Sequence, residues 1–156
     1  MELVVILNDL RSVYNTASIF RTGNGAGVKH IYLGGTTPMP VDKFGDERND
    51  FVKVSLGAEK ETPYSYEKYI LLLIDELKEK GFHVVSLEQN EKSMELFDFK
   101  VEKYEKMALV VGNEVGGVDK EVLEKSDVIL EIPMRGSKES LNVASALAVA
   151  VYYLTN

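Results

Sequence analysis

Apolar runs bounded by turn residues recur along the chain and alternate with stretches of helical periodicity. The strand-like runs are Leu3–Leu7, His30–Gly34, His83–Glu88, Ala108–Gly112 and Val128–Met134. Most are continuously apolar rather than alternating, the pattern of strands covered on both faces of a parallel sheet. Tyr14–Thr22 reads as a short helix after a polar turn. Tyr66, Tyr69, Ile70, Leu73 and Leu77 recur at helical spacing, with Thr62–Pro63 as a start signal and Gly81 as a stop. Asp119 is placed to cap a third helix through Lys125. Leu141–Leu154 reads as a fourth, apolar nearly all round and so buried against a sheet or a second chain. The order β-α-β-α-β-β-α-β-α predicts one α/β domain over residues 1–156, a mostly parallel sheet flanked by helices with right-handed crossovers. Gly35–Glu61 is too long for an ordinary connection, and its KVSLGAEK stretch begins apolar, which predicts that it packs back onto the body.

Composition narrows the chemistry. The 156 residues contain no cysteine, which excludes disulfides and thiolate metal sites and fits a reducing, cytoplasmic setting. The two histidines, His30 and His83, both sit in strand-like runs, so no metal site is expected. No run reaches the roughly 20 apolar residues of a membrane span, and MELVVILND lacks a signal-peptide pattern. Eighteen Lys and Arg against 25 Asp and Glu give a net charge of −7, which argues against a general polyanion binder. A small basic site on an acidic body is still compatible with that total. The arginines are only Arg11, Arg21, Arg48 and Arg135, and arginine is the side chain whose planar fork matches a phosphate.

Three glycine-containing clusters differ in what they imply. Gly23, Gly25 and Gly27 follow a helix and precede a strand, whereas a dinucleotide loop needs its glycines directly after the first strand. A helix C-terminus requiring positive φ explains them, and an ordinary Rossmann enzyme is excluded. Val110–Asp119 (VVGNEVGGVD) leaves a buried strand at Gly112 and enters a helix at Asp119, at the carboxyl end of a strand where open α/β sheets bind ligands. A plain turn accounts for its glycines but not for the polar pair Asn113–Glu114. Ile132–Val143 (IPMRGSKESLNV) ends a strand at Pro133 and opens the last helix, with Ser140 as a candidate cap. Asn142 then falls in the first turn of an apolar helix, where a polar side chain requires a partner. In the N-terminal cluster Asn8–Thr22, a helix starting near Asn15 would be capped by that residue, with Arg21 near its far end.

Taken together and in order, these clusters resemble the SpoU/TrmH branch of the SPOUT superfamily of RNA methyltransferases. The first motif is matched by Asn8, Arg11, Asn15 and Ser18–Thr22, the second by Val110–Gly117 and the third by Ile132–Val143. The resemblance covers essentially the whole chain and looks like the minimal form, without added RNA-binding domains. It implies a C-terminal deep trefoil knot, a homodimer, and methyl transfer from S-adenosylmethionine to a ribose 2′-hydroxyl, of tRNA ahead of rRNA. It further implies a cofactor pocket lined by Leu87 and its neighbours, Gly112, Ile132, Met134, Ser140 and Leu141. Asn15, Arg21, Glu114, Ser140 and Asn142 map to catalytic positions. Glu114 would orient Asn15 or Arg21, and Ser140 and Asn142 would hold the ribose or the preceding loops. Arg11, Lys53, Arg135 and Lys138 are the candidate cationic patch for the RNA backbone. The rival readings are a knotted RNA-binding paralogue without catalysis, acting in assembly, and an unrelated flavodoxin-like domain. If the four basic residues each meet a phosphate, the logarithm of RNA affinity falls with the logarithm of salt concentration with a slope of about −3. Titrations at several salt concentrations check this, and a flat response would remove the patch.

Overall fold

The computed structural model describes all residues, Met1–Asn156. The elements run β1 (Glu2–Asn8), α1 (Val13–Gly25), β2 (His30–Gly34), α2 (Asn49–Ser55), α3 (Ala58–Glu61), β3 (Tyr64–Glu67) and α4 (Ile70–Glu79). They continue with β4 (His83–Leu87), β5 (Met94–Glu95), β6 (Lys106–Gly112), α5 (Lys120–Lys125), β7 (Val128–Glu131) and α6 (Val143–Thr155). All seven strands join one sheet in the order β3-β2-β1-β6-β4-β7-β5, and every pairing is parallel.

The continuous apolar runs follow from this architecture. Alternate residues of a strand point to opposite faces. On β1, Leu3, Val5 and Leu7 join a core shared with Ala17 and Phe20 of α1 and Leu147 and Val151 of α6. Val4 and Ile6 point the other way, into a second core with Ile70, Leu73 and Ile74 of α4 and Val122 of α5. β6 divides likewise, Met107, Leu109 and Val111 against Ala108 and Val110. No helix is long and apolar enough to cross a membrane.

Five local expectations need correction. The helix expected from Tyr66 begins only at Ile70, because Tyr64–Glu67 forms an edge strand in register with Ile31–Gly34 of β2. Alternating aromatics suit a pleated edge, and Pro63 precedes it, where its carbonyl accepts from Ile31 N–H. Gly35–Glu61 is not one loop: it contains α2 and α3; Val54 and Ala58 of the KVSLGAEK stretch pack on the body as expected, and Phe51 before it, fully buried and edge-on to Phe20, is a further anchor. β7 stops at Glu131, since Pro133 has no N–H for a ladder, and Ile132–Met134 leaves the sheet. Ser12, not Asn15, caps α1, its Oγ accepting from Asn15 N–H at 3.1 Å. Asn142, not Ser140, caps α6, because an Asn at that position reaches two helical N–H groups. At the far end of α1 only Gly27 has positive φ (79°), which is the C-terminal geometry the sequence required.

Candidate active site

The carboxyl ends of β4, β6 and β7 meet the N-terminal turns of α1 and α6 around one cavity of about 500 Å³. A parallel sheet places these ends side by side, so loops distant in sequence become neighbours. The wall after β4 is Leu87, Glu88 and Gln89; the wall after β6 is Gly112–Gly117; the third wall runs from Glu131 through Met134 and Ser140 to Val143. Asn15 closes the floor from α1, and Ala146 from α6.

A chain of side-chain amides and a carboxylate ties these segments together. Glu114 Oε1 accepts from Ser12 N–H at 2.9 Å and from Asn15 Nδ2 at 3.2 Å, and Oε2 accepts from Arg11 N–H at 3.0 Å. Asn15, 6% exposed, accepts in turn from Asn142 Nδ2 at 3.0 Å. The Asn142 Oδ1 accepts from Ala144 and Ser145 N–H at 2.9 and 3.3 Å, capping α6. An amide is required at 142, because the position must both accept from the helix and donate to Asn15. Partial burial pushes the Glu114 carboxyl upward, but donation from Ser12, Arg11 and Asn15 outweighs it and holds the group below its ordinary pKa.

Backbone geometry completes the β6 wall. Asn113 Nδ2 donates to the Asp9 carbonyl at 2.7 Å, while its Oδ1 accepts from Val115 and Gly116 N–H. Gly112 is irreplaceable on packing grounds, since a Cβ there would overlap the Gly117 carbonyl and Val118 nitrogen. Gly117 has φ +70°, and a Cβ would collide with Glu88, whose Oε2 accepts from Val118 N–H at 2.9 Å.

All six residues expected at a cofactor, Leu87, Gly112, Ile132, Met134, Ser140 and Leu141, line this cavity. So do Asn15, Glu114 and Asn142. Of the two partners expected for Glu114, Asn15 is bonded to it and Arg21 is not. Arg21 is exposed on α1 and does not line the cavity of its own chain. It lies six residues beyond Asn15, about 9 Å along the helix axis and on another face. Arg11, Lys53, Arg135 and Lys138 are exposed and also outside the lining; Arg11 contributes its backbone N–H instead. Arg135 and Lys138 lie in the segment that forms the third wall, whereas Lys53 is on α2. Glu88, Gln89, Gly116, Gly117, Glu131, Val143 and Ala146 also line the site. The position of Leu87 at a strand's carboxyl end was the signal for Glu88 and Gln89; no sequence signal marked Ala146.

Fold and cavity together define a parallel α/β ligand-binding domain whose site is closed by the segment entering its last helix. The profile of the SpoU rRNA Methylase family matches residues 2–152, and the chain belongs to that family. It is 32% identical over 153 residues to the 23S rRNA (guanosine(2553)-2′-O)-methyltransferase RlmP of Bacillus subtilis, covering 97% of this chain and 57% of that protein. It is 28% identical to the tRNA (guanosine(18)-2′-O)-methyltransferase of Borreliella burgdorferi, covering 97% and 65%. The chain thus spans less than two thirds of the length of these relatives. The A. aeolicus TrmH/SpoU tRNA modifying enzyme superposes with a TM-score of 0.85 at 25% identity, over 99% of this chain and 74% of that one.

The depressed Glu114 pKa makes a signed prediction. A carboxyl whose folded pKa lies below its unfolded one stabilises the fold above the unfolded value and ceases to as pH falls through the folded value. Glu114→Gln replaces one acceptor oxygen by a donor facing other donors, and at pH 7 it lowers unfolding free energy by about 1–2 kcal/mol, solvent exposure keeping the loss modest. Denaturant melts across pH check this: the gap between Glu114→Gln and the parent chain closes as pH drops below about 4.

Proposed function

We propose that the chain transfers a methyl group from S-adenosylmethionine to a ribose 2′-hydroxyl of RNA, with tRNA favoured over rRNA. The observation that carries this reading is the convergence of Leu87, Gly112, Ile132, Met134, Ser140 and Leu141 on one cavity with Asn15, Glu114 and Asn142. A volume of about 500 Å³ is within the range of pockets for small cofactors. Leu87, Ile132, Met134 and Leu141 supply apolar surface for a purine, and the carboxylates of Glu88, Glu114 and Glu131 suit a cationic sulfonium. The residues present therefore fit the group. The similarity to the B. burgdorferi and A. aeolicus tRNA enzymes supports tRNA, and that to the B. subtilis enzyme supports rRNA as the second substrate class. The trefoil knot is part of the same proposal: Ile132–Leu141 walls the cavity before α6 returns to pack on α1.

S-adenosylmethionine supplies an electrophilic methyl carbon when bound, and the remaining work is positioning and charge management by the chain itself. Glu114, ionised and saturated with donors, positions Asn15 rather than accepting the hydroxyl proton. A guanidinium is a cation with donors and no acceptor, so the part of Arg21 is to lower the hydroxyl pKa and stabilise the developing oxyanion. Because Arg21 does not line the cavity of its own chain, it serves the cavity of a second copy in a homodimer. α1 and α6 pack together and leave Tyr14, Val149 and Tyr152 exposed for such a partner. Arg11, Arg135 and Lys138, with Lys53, meet the RNA backbone.

The Arg21→Ala variant loses methyl transfer while calorimetric donor binding persists. Mixing it with Asn142→Ala, also inactive alone, separates the two geometries. Refolded together, the pair recovers about a quarter of parental transfer if Arg21 acts across the two-fold axis, as half the dimers then carry one intact site. No recovery would place Arg21 in its own chain's site, and loss of donor binding with normal turnover would remove its assignment.

A further inference from the structure

The three walls of the cavity are held very unequally. The β6 wall is fixed by Asn113 and Glu114 through bonds to Asp9, Arg11, Ser12 and Asn15. The β4 wall is fixed by Glu88, whose N–H donates to the Leu130 carbonyl at 2.9 Å and whose side chain accepts from Val118 N–H. Ile132 packs against the core, but Ile132–Leu141 has one polar tie only. Gln89 Nε2 donates to the Glu139 carbonyl at 2.7 Å, and no other hydrogen bond or ion pair engages the segment. Yet this segment supplies Ile132, Met134, Ser140 and Leu141 to the lining.

Gln89 is itself well placed to act as a fastener. Its N–H donates to Glu88 Oε1 at 2.9 Å, so the residue that anchors the β6 wall also braces the one that reaches the third wall. The two residues after β4 thereby connect both neighbouring walls, and one exposed amide makes the third wall's polar tie. A single hydrogen bond exposed to water is readily broken, and a segment with so few ties is among the first to open locally.

We propose that Gln89 is a positioning residue, a latch that holds the Ile132–Leu141 wall closed over the bound nucleoside and opens for its exchange. The proposal rests on the donor-binding reading above. It predicts an effect on donor affinity and on wall mobility.

Two near-isosteric variants test it, Gln89→Met and Gln89→Glu. Neither can donate to a carbonyl, and both keep the side chain's size at an exposed position. Arg135 and Lys138 provide a readout that needs no ligand, because trypsin cuts after them and both lie in the latched segment. In each variant, tryptic cutting at these two sites accelerates about threefold to tenfold, and the dissociation constant for S-adenosylhomocysteine rises by a similar factor, the size of one lost hydrogen bond. The KM for the donor rises by more than kcat changes, and the melting temperature stays at its parental value. Gln89→Glu cutting and binding like the parent would overturn the latch, since size alone would then suffice. A parent chain that ignores S-adenosylhomocysteine would instead overturn the donor reading, and the cutting rates would still decide whether Gln89 holds the wall.

Discussion

The site depends on a buried amide, that of Asn15, having both of its polar ends satisfied by residues far away in the sequence. Its donor end goes to Glu114 and its acceptor end to Asn142, 99 and 127 positions away. A buried amide without partners would cost a large part of a domain's net stability. The ends of β6, α1 and α6 are therefore fixed relative to one another before any ligand arrives. Preorganisation of this kind is what a displacement reaction most needs from a protein.

The parallel sheet makes that closure feasible. β6 lies between β1 and β4, so the turn after Gly112 emerges beside Asn8 and Asp9 on one side and Leu87 on the other. Gly112 permits the backbone of Gly117–Val118 to fold tightly against the strand end, and Glu88 then seals the turn by accepting from Val118 N–H. Two walls of the cavity are extensions of the rigid sheet. The third is a long excursion that leaves at Pro133 and is recaptured at Asn142. A site with two fixed sides and one loosely held side can bind tightly and still release its product.

Much of this was legible in the residues. Leu3–Leu7 and Ala108–Gly112 carry a burial demand on both faces that only a covered parallel strand meets, and their pairing follows. The polar pair Asn113–Glu114 at a strand exit, and Asn142 at the head of an apolar helix, announced side chains in need of partners, and they have them. Tyr64–Glu67 was misread because Tyr66, Tyr69 and Ile70 also fit a helical period, and pairing with β2, a non-local interaction, decides the conformation. Ser12 and Asn142 took the caps from Asn15 and Ser140 because cap choice depends on which residue reaches the first free N–H groups, which a register shift of two or three residues changes. The separation of Arg21 from the cavity follows from helical geometry, since six residues beyond Asn15 on α1 it lies on another face.

The central claim, that the cavity framed by Asn15, Glu114 and Asn142 is where the methyl donor sits, is tested most directly by amide chemical-shift mapping during titration with S-adenosylhomocysteine. The account predicts saturable perturbations clustered at residues 87–89, 112–117 and 132–143, with the amino-terminal ends of β4 and β6 around His83 and Lys106 unmoved. Perturbations centred elsewhere, or a titration that leaves those three segments unchanged, would contradict it.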